Sequence, residues 1–327
     1  MTSRKLQIIA AALICAIVFI ILMLGSKKPI NKPIQETDQS SSPETNIIKS
    51  YYSDGIVKEE QVYRSGKLNG ISTEYFNNGI IKEKINYVDG IKNGISKSFN
   101  QAGEIVKLNQ YSNGKLHGKQ IKYFPHEKIE YIVYYNHGIK EGPARYYYST
   151  GEIESESSFI NGKLEGCKSY YYQNGELKAF ETYSNDIQDG IFRVYYKNGG
   201  LKTEGSFLKG KSHGISKNYY SNGSLKEQVT HKNGILEGNS EQFYLNGQLE
   251  AKVNYSNGLP NGQYKKYYEN GLLKEVDEYV DGSLEGEVIE YYENQKVKSK
   301  TNYLENMVTY KNTYDENGIV TDVENYH

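Results

Sequence analysis

The sequence predicts an all-β repeat array: an elongated single-layer antiparallel β-meander of about eleven 24-residue hairpins, preceded by one N-terminal transmembrane helix. Three observations lead to this fold class. A 24-residue repeat runs from Tyr51 to Tyr314, glycines and aromatic residues recur at fixed positions within it, and an apolar run of 19 residues precedes it. A fixed short period indicates stacked copies of one small unit, so it determines the architecture before any single residue is considered.

The repeat is visible in segments such as Tyr171-Tyr-Gln-Asn-Gly-Glu-Leu-Lys, which returns 24 residues later as Tyr195-Tyr-Lys-Asn-Gly-Gly-Leu-Lys. We call the residues at one position of successive repeats a column, and we name each column after its first member. Six columns hold 28 of the 32 glycines and 31 of the 42 Tyr and Phe residues: Gly55, Gly66, Gly70, Tyr51, Tyr52 and Tyr63. Because these columns stay constant while most others vary, they carry the structural requirements of the unit.

The first 50 residues have a different character. Residues 6–24 form the apolar run, and at about 1.5 Å per residue this run is long enough to cross a bilayer core. We favour an uncleaved signal anchor, with a cleaved signal peptide as the alternative. The predicted organisation is a short N-terminal tail at 1–5, a transmembrane signal anchor at 6–24, a flexible tether at 25–50, eleven repeats at 51–314 and a degenerate C-terminal cap at 315–327.

The anchor predicts a single-pass protein of the cell inner or plasma membrane, with a cytoplasmic N-terminus and extracytoplasmic repeats. The short N-terminal tail favours this orientation, whereas Lys27 and Lys28 after the run oppose it under the positive-inside rule. Cys167 is the one cysteine of residues 51–327, and the other, Cys15, lies in the apolar run. No disulfide within a chain is therefore predicted.

Each repeat carries two turn signals and two short strand patterns. Asn-Gly or Asp-Gly pairs such as Asp54-Gly55 follow the aromatic pair, and a second set includes Asp89-Gly90. Such dipeptides between runs rich in Tyr, Ile and Val are typical of β-hairpins. Eleven hairpins would give about 22 strands spaced by about 4.8 Å, and therefore a ribbon about 100 Å long.

The faces of the sheet are predicted from parity. Val57 and Tyr63 are six residues apart and should share one face. A three-residue loop at Ser53-Asp54-Gly55 would place Tyr51 on that same face and leave the Tyr52 column on the other, beside Lys and Glu. The Gly70 column is expected to leave room for a neighbouring aromatic ring over the backbone.

The unit Tyr-Tyr-x-Asn-Gly-x-Leu-Lys-x-Glu-x-x-Tyr-x-x-Gly-Lys-Leu-x-Gly resembles the variant MORN repeat of bacterial proteins named as YwqK-family antitoxins. Asn161-Gly-Lys-Leu-Glu-Gly166 and Asn113-Gly-Lys-Leu-His-Gly118 show the likeness, which covers roughly 51–314. The resemblance implies a β-hairpin array and, through the family name, an association with toxins. It implies no catalytic residues, and the predicted membrane anchor departs from a cytosolic antitoxin.

No catalytic, metal or cofactor site is predicted, and the protein is not expected to be an enzyme. His117 and His213 share a column but lie four repeats apart, which is roughly 38 Å. Glu152 and its neighbours alternate along one strand, as on a solvated face. A formal net charge of −1 with interspersed signs argues against a nucleic-acid partner.

The predicted function is a membrane-anchored, non-catalytic β-repeat scaffold that binds an unknown protein partner at the cell envelope. One alternative is a cell-wall or polysaccharide binding module, in which tyrosine rings stack on a glycan. The other is an antitoxin of the kind that the resemblance implies. The membrane is expected to be contacted through residues 6–24, and the candidate binding surface lies in the Tyr52 column: Tyr148, Tyr172, Tyr196, Tyr220, Tyr244, Tyr268 and Tyr292.

Overall fold

The computed structural model describes residues 44–326. These residues form 28 β-strands and one short 3-10 turn at Pro125–Glu127. The chain divides into two compact units, Met1–Glu176 with Tyr183–Asp186, and Leu177–Thr182 with Ile187–His327. Within each unit the described strands form one antiparallel sheet, so the predicted all-β array of antiparallel hairpins is confirmed.

The strand bounds follow the repeat. In the first unit they are β1 (Thr45–Tyr51), β2 (Val57–Arg64), β3 (Lys67–Leu68), β4 (Gly70–Tyr75), β5 (Ile81–Val88), β6 (Ile91–Phe99), β7 (Ile105–Ser112), β8 (Lys115–Tyr123), β9 (Ile129–Asn136), β10 (Ile139–Tyr147), β11 (Ile153–Ile160), β12 (Lys163–Leu164) and β13 (Gly166–Tyr171). Strand β14 (Leu177–Ser184) has residues in both units. In the second unit they are β15 (Ile187–Tyr195), β16 (Leu201–Leu208), β17 (Lys211–Ser212), β18 (Gly214–Tyr219), β19 (Leu225–Lys232), β20 (Ile235–Phe243), β21 (Leu249–Ser256), β22 (Leu259–Pro260), β23 (Gly262–Tyr267), β24 (Leu273–Val280), β25 (Ser283–Tyr291), β26 (Val297–Leu304), β27 (Met307–Tyr314) and β28 (Val320–Asn325).

The predicted fold class is wrong in its helical part. Among residues 44–326, no helix is long and apolar enough to span a membrane. The segment for which the sequence predicts a transmembrane helix, residues 6–24, lies outside the described residues. For the part of the chain that the structure describes, the fold class is therefore corrected to an all-β hairpin array with no membrane-spanning helix.

The strands reach beyond the predicted repeat range at both ends. Strand β1 begins at Thr45, within the segment predicted as a tether, and pairs with β2. Strand β28 lies inside the segment predicted as a cap, residues 315–327, and it pairs with β27. This last strand is hidden in the sequence because the repeat before it is one residue short. The Tyr292 hydroxyl donates to the Tyr314 carbonyl, 22 residues further along the chain, whereas the equivalent bond from Tyr244 to Tyr267 joins residues 23 apart.

The first turn of the hairpin is the predicted three-residue loop. The Gly55 N–H donates to the Tyr52 carbonyl at 3.0 Å, and the Tyr52 N–H donates to the Ile56 carbonyl at 2.8 Å. Gly55 has a φ of +87°, in the left-handed region that glycine adopts without steric cost. Tyr51 consequently lies directly opposite Val57, as predicted.

The asparagine of this turn has two functions. The Asn246 Oδ1 accepts the Gln248 N–H at 2.9 Å and so closes its own turn. The Asn246 Nδ2 donates to the Glu269 carbonyl at 2.9 Å in the next repeat. An amide accepts and donates through two separate atoms, which a carboxylate cannot do, and this gives a physical reason for Asn at most positions of this column.

A β-bulge follows the first turn, and it makes one prediction about the faces wrong. Tyr51 lies opposite Val57, but the residue before Tyr51 lies opposite Glu59, so Lys58 is an extra residue in β2. The same shift recurs in both units. Because an inserted residue reverses the alternation beyond it, Val57 and Tyr63 lie on opposite faces rather than on one.

We call the two sides of the sheet the Val57 face and the Tyr63 face. On the Tyr63 face, the Tyr63 hydroxyl donates to Gln61 Oε1 at 2.9 Å. On the Val57 face, the Tyr75 hydroxyl donates to Glu60 Oε2 at 3.2 Å. The most buried residues of the Tyr63 face belong to the Gln61 and Ser72 columns: Ser72, Ser96, Asn109, Gln120, Val133, Ala144, Ser157, Asp277, Val288 and Thr301.

The second turn contains two residues in the left-handed region. In the second repeat these are Asp89, with a φ of 52°, and Gly90, with a φ of 84°. Two such residues between paired strands form a tight type I′ hairpin turn. The Gly90 N–H also donates to the Leu68 carbonyl of the preceding repeat at 2.7 Å, so successive turns are joined along this edge.

The Gly70 column has a different role from the predicted one. Gly94 follows the second turn, where the pairing of β5 with β6 shifts, and its φ is +88°. A Cβ added to Gly94 would lie 3.2 Å from Asn86 Nδ2. The column therefore requires glycine because of its backbone conformation and the adjacent side chain of the Val62 column, and not to accommodate an aromatic ring.

Candidate binding surface

The tyrosines predicted to bind a partner are half-buried and join neighbouring repeats. The Tyr220 hydroxyl donates to the Phe243 carbonyl at 2.8 Å, and the Tyr268 hydroxyl donates to the Tyr291 carbonyl at 2.6 Å. The hydroxyls of Tyr148, Tyr196, Tyr244 and Tyr292 make the same bond. Tyr172 occupies the equivalent position in its repeat and is also half-buried.

The rings of this column are partly covered by lysines of the same hairpin. The Lys226 ammonium lies 5.7 Å from the centre of the Tyr220 ring, and the Lys274 ammonium lies 5.3 Å from that of Tyr268. A cation at this distance is attracted by the ring face. The predicted lysine neighbours are thus present, and these hydroxyls and ring faces already have contacts within the chain. Whether the column also binds a ligand stays a prediction.

The histidines are scattered over the described residues, except for one pair at a turn edge. The His117 and His137 rings are 4.8 Å apart between centroids. His213, which the sequence places in the same column as His117, is not part of this pair. Within residues 44–326, no group of three or more His, Cys, Asp or Glu side chains is placed to hold a metal ion.

One buried carboxyl group stands out in the second unit. Asp277 is 5 % exposed and lies opposite Tyr264, and its Oδ1 has no hydrogen-bond partner among the described residues. Burial, followed by the nearby carboxylates of Glu275 and Glu290, raises the pKa of Asp277 to about 7. The sequence reasoning missed this site; the only signal is an acidic residue in a column that is otherwise uncharged except for Glu181.

The Val57 face carries tyrosine–glutamate contacts with a structural role. The Tyr219 hydroxyl donates to Glu204 Oε1 at 2.8 Å, and Arg193 Nε donates to Glu204 Oε2 at 3.1 Å. Burial and the adjacent carboxylate raise the pKa of Tyr219 to about 12. A phenol with this pKa is poorly matched to proton transfer near neutral pH.

A row of exposed isoleucines lies on the Val57 face of the first unit. Ile47, Ile71 and Ile95 occupy equivalent positions in β1, β4 and β6, and they are 61 %, 55 % and 49 % exposed. We call these three residues the isoleucine row. Consecutive exposed apolar side chains on one surface are typical of interaction sites. The sequence signal is an isoleucine just after the Gly70 column at Ile71 and Ile95, a position outside the six constant columns.

Two amide side chains beside these isoleucines are engaged with backbone. Asn86, which lies opposite Ile71, donates through Nδ2 to the Asn93 carbonyl at 2.6 Å. Gln110, which lies opposite Ile95, accepts the Lys119 N–H through Oε1 at 2.7 Å. These bonds satisfy backbone groups at the irregular pairing beyond the second turn. The isoleucines therefore project from a surface whose neighbouring amides are already used.

A polar depression lies in the second unit. Its volume is about 290 Å³, and its lining combines amide, carboxylate and ammonium groups: Asn239, Ser240, Glu241, Lys252, Val253, Asn254, Gln263 and Lys265. Amide and hydroxyl groups of this kind can hydrogen-bond to sugar hydroxyls. The depression is shallow and lacks an apolar lining typical of small-molecule sites.

A family model described as "MORN repeat variant" matches eight segments that make up more than half of the chain: 68–89, 116–137, 140–161, 188–209, 212–233, 236–257, 260–281 and 284–305. No curated protein matches the chain.

Among solved structures, the chain is similar to a chain of TcdB2-TccC3-Cdc42, with 11 % identity and a TM-score of 0.19. It is also similar to a chain of the Photorhabdus luminescens Tc holotoxin pore, with 12 % identity and a TM-score of 0.17. Each match covers 86 % of this chain and 17 % of the other, so this chain spans about a sixth of the length of those proteins.

Proposed function

The chain belongs to the MORN repeat variant family, and from this premise we propose that it is a non-catalytic β-repeat scaffold that binds a protein partner through the isoleucine row. The observation that carries the proposal is the exposure of Ile47, Ile71 and Ile95 in successive repeats. Apolar side chains held in register on a sheet face gain free energy when a partner removes them from water, by about 25 cal/mol per Å². The family match supports the scaffold, and the partner is our proposal.

The test is retention of a protein from a cell envelope extract by the full chain, with two single variants. Ile95→Ser removes one member of the row. Ile91→Ser is a matched control, because Ile91 lies in the same strand and is also 49 % exposed, but it sits at the second turn. We expect a protein that the wild type and Ile91→Ser retain and Ile95→Ser loses. Equal retention by all three, or no retained protein, would contradict the proposal.

A polysaccharide ligand is a second candidate, and the polar depression in the second unit favours it. It predicts that the full chain sediments with insoluble cell-wall polysaccharide. Replacing Asn254 and Gln263 by alanine should abolish sedimentation, while Ile95→Ser should leave it unchanged. An antitoxin role gains no support from either surface.

We also propose that the repeats lie outside the cytoplasm. Protease added to intact spheroplasts should then digest the repeats, and a cytoplasmic marker protein should survive. Full protection of the repeats, with digestion of a known external protein, would refute this location.

A further inference from the structure

We propose that the segment recognised by the isoleucine row is an amphipathic α-helix that lies across the strands, with apolar residues seven positions apart and acidic residues on one flank. This inference rests on the proposed function, because it specifies the partner of the same surface. It is carried by the spacing of the row, by the hydrogen bonds around it and by the lysines beside it.

The spacing of the row matches two turns of a helix. Ile47, Ile71 and Ile95 lie in β1, β4 and β6, with one strand between each pair. Two strand spacings of about 4.8 Å separate neighbouring isoleucines by about 9.6 Å. Seven helical residues rise about 10.5 Å, so three apolar side chains of a helix would drift by only about 2 Å along the row. Side-chain rotamers can absorb that difference.

Extended partners fit this surface less well. Side chains on one face of a β-strand recur every ~6.8 Å or ~13.6 Å, and neither distance matches the row. A polyproline II segment repeats every ~9.3 Å, which does match, but its backbone makes no internal hydrogen bonds. The amide of Asn86, between Ile71 and Ile95, is already bonded to its own chain, and so is the amide of Gln110 on the far side of Ile95. A helix satisfies its own backbone, so it suits a surface with few free polar groups.

The charges beside the row select the flank of the helix. Lys97 lies two residues beyond Ile95 on the same strand, and Lys84 lies directly opposite Lys97. Two ammonium groups that face each other repel, and an anionic side chain from a partner would relieve this repulsion. Glu60 on the same face is already paired with Lys49 and accepts a hydrogen bond from Tyr75, so neither Glu60 nor Lys49 offsets the charges of Lys84 and Lys97. The surface is therefore complementary to acidic residues.

The experiment uses the purified full chain and labelled synthetic helices, with binding measured by fluorescence anisotropy. The probe has leucine at positions 4, 11 and 18 of a 21-residue alanine-rich helix, with glutamates on one flank. A second peptide has the same composition with leucines at 4, 9 and 16. A third peptide is the polyproline II control: leucine occupies every third position, and proline occupies the positions between the leucines. We expect the heptad helix to bind at least about tenfold more tightly than either control peptide, a difference of about 1.4 kcal/mol.

Variants connect that affinity to the row. Ile95→Ser should weaken binding by about fivefold or more, whereas Ile91→Ser should change it by less than about twofold. Lys97→Glu should weaken binding of the glutamate-flanked helix and restore it for a helix with lysines in place of the glutamates. Equal binding of all three peptides, or equal effects of the two isoleucine variants, would overturn the inference.

The outcomes also separate this inference from the proposed function. If the heptad helix fails but Ile95→Ser still abolishes retention of a cell protein, the isoleucine row binds a protein that is not such a helix. If the helix fails and retention is insensitive to Ile95→Ser, both proposals fail. Tighter binding of the proline-containing peptide would overturn the helix and assign an extended partner to the row.

Discussion

Replacing Asp277 by asparagine should remove a pH-dependent loss of stability from the last repeats. Asp277 lies in β24, is 5 % exposed and has a pKa raised to about 7 from an ordinary value of 3.8. Asparagine has nearly the same shape and no titrating proton, so the substitution changes the charge with little change in packing. All but one of the other repeats place an uncharged residue at the equivalent position, such as Ser157, Val253 or Thr301, which shows that the unit does not require a carboxylate.

The magnitude follows from the shift in pKa. A difference of about 3 pKa units at about 1.36 kcal/mol per unit gives at most about 4 kcal/mol. The raised pKa of Asp277 also determines whether stability rises or falls with pH. The folded state holds the Asp277 proton more tightly than the unfolded state, so this contribution is fully present below about pH 4 and is lost as the pH rises towards 7. The wild type should therefore become less stable in this region as the pH rises, and Asp277→Asn should not.

Hydrogen exchange of peptides that cover β24 and β25 measures this local stability. After correction for intrinsic exchange rates, we expect the wild-type opening free energy to fall by up to about 3 kcal/mol between pH 4.5 and pH 8, because part of the contribution is already lost at pH 4.5. Glu275→Gln is a useful second variant, because it removes a neighbouring charge and should move the transition to lower pH. If Asp277→Asn shows the same pH dependence as the wild type, the reasoning about the buried carboxyl group is wrong.

Three further predictions concern the repeat itself. Gly175→Ala should cost about 1 kcal/mol of stability because of the positive φ of Gly175. Gly118→Ala should cost about 3 kcal/mol, because its Cβ would also displace the Gln110 oxygen that accepts the Lys119 N–H. Equal urea midpoints for the two variants would show that the contact with Gln110 does not matter. Tyr220→Phe should cost about 1 kcal/mol of stability, because it leaves the Phe243 carbonyl of the next repeat without this hydrogen bond. The variant should lose hydrogen-exchange protection in these two repeats, and a loss found only in other repeats would refute the prediction. Asn246→Asp should cost about 0.5–1 kcal/mol, because it keeps the bond within the turn and loses the bond to the next repeat; an unchanged melting temperature would contradict the second bond.

The turns were predictable from the sequence because their chemistry is local. An Asn-Gly pair between strand patterns specifies a loop with a left-handed residue, and the structure has that loop at Gly55. The all-β hairpin array follows from the period and from these turns. The transmembrane helix does not belong to the described fold, and its predicted position lies outside the described residues.

The faces were not predictable by parity, because a bulge depends on the pairing of two strands. Nothing in residues 57 to 63 marks Lys58 as an extra residue, since its type suits an ordinary exposed strand position. One unpaired residue is enough to move Tyr63 to the opposite face from Val57. The same limit applies to the last strand, where a repeat one residue short conceals an ordinary hairpin pattern.

The candidate surface escaped prediction for a related reason. Conserved spacing within one chain marks what every repeat needs, and the Tyr52 column is constant because its hydroxyls join neighbouring repeats. A partner site can be confined to a few repeats, so its residues look like free variation when the columns are compared. Ile47, Ile71 and Ile95 share a position that is Lys119, Pro143 and Cys167 in the next three repeats, and isoleucine returns there only at Ile191 and Ile215. In an array of near-identical units, binding specificity is therefore better sought in exposed columns that differ between repeats than in those that stay the same.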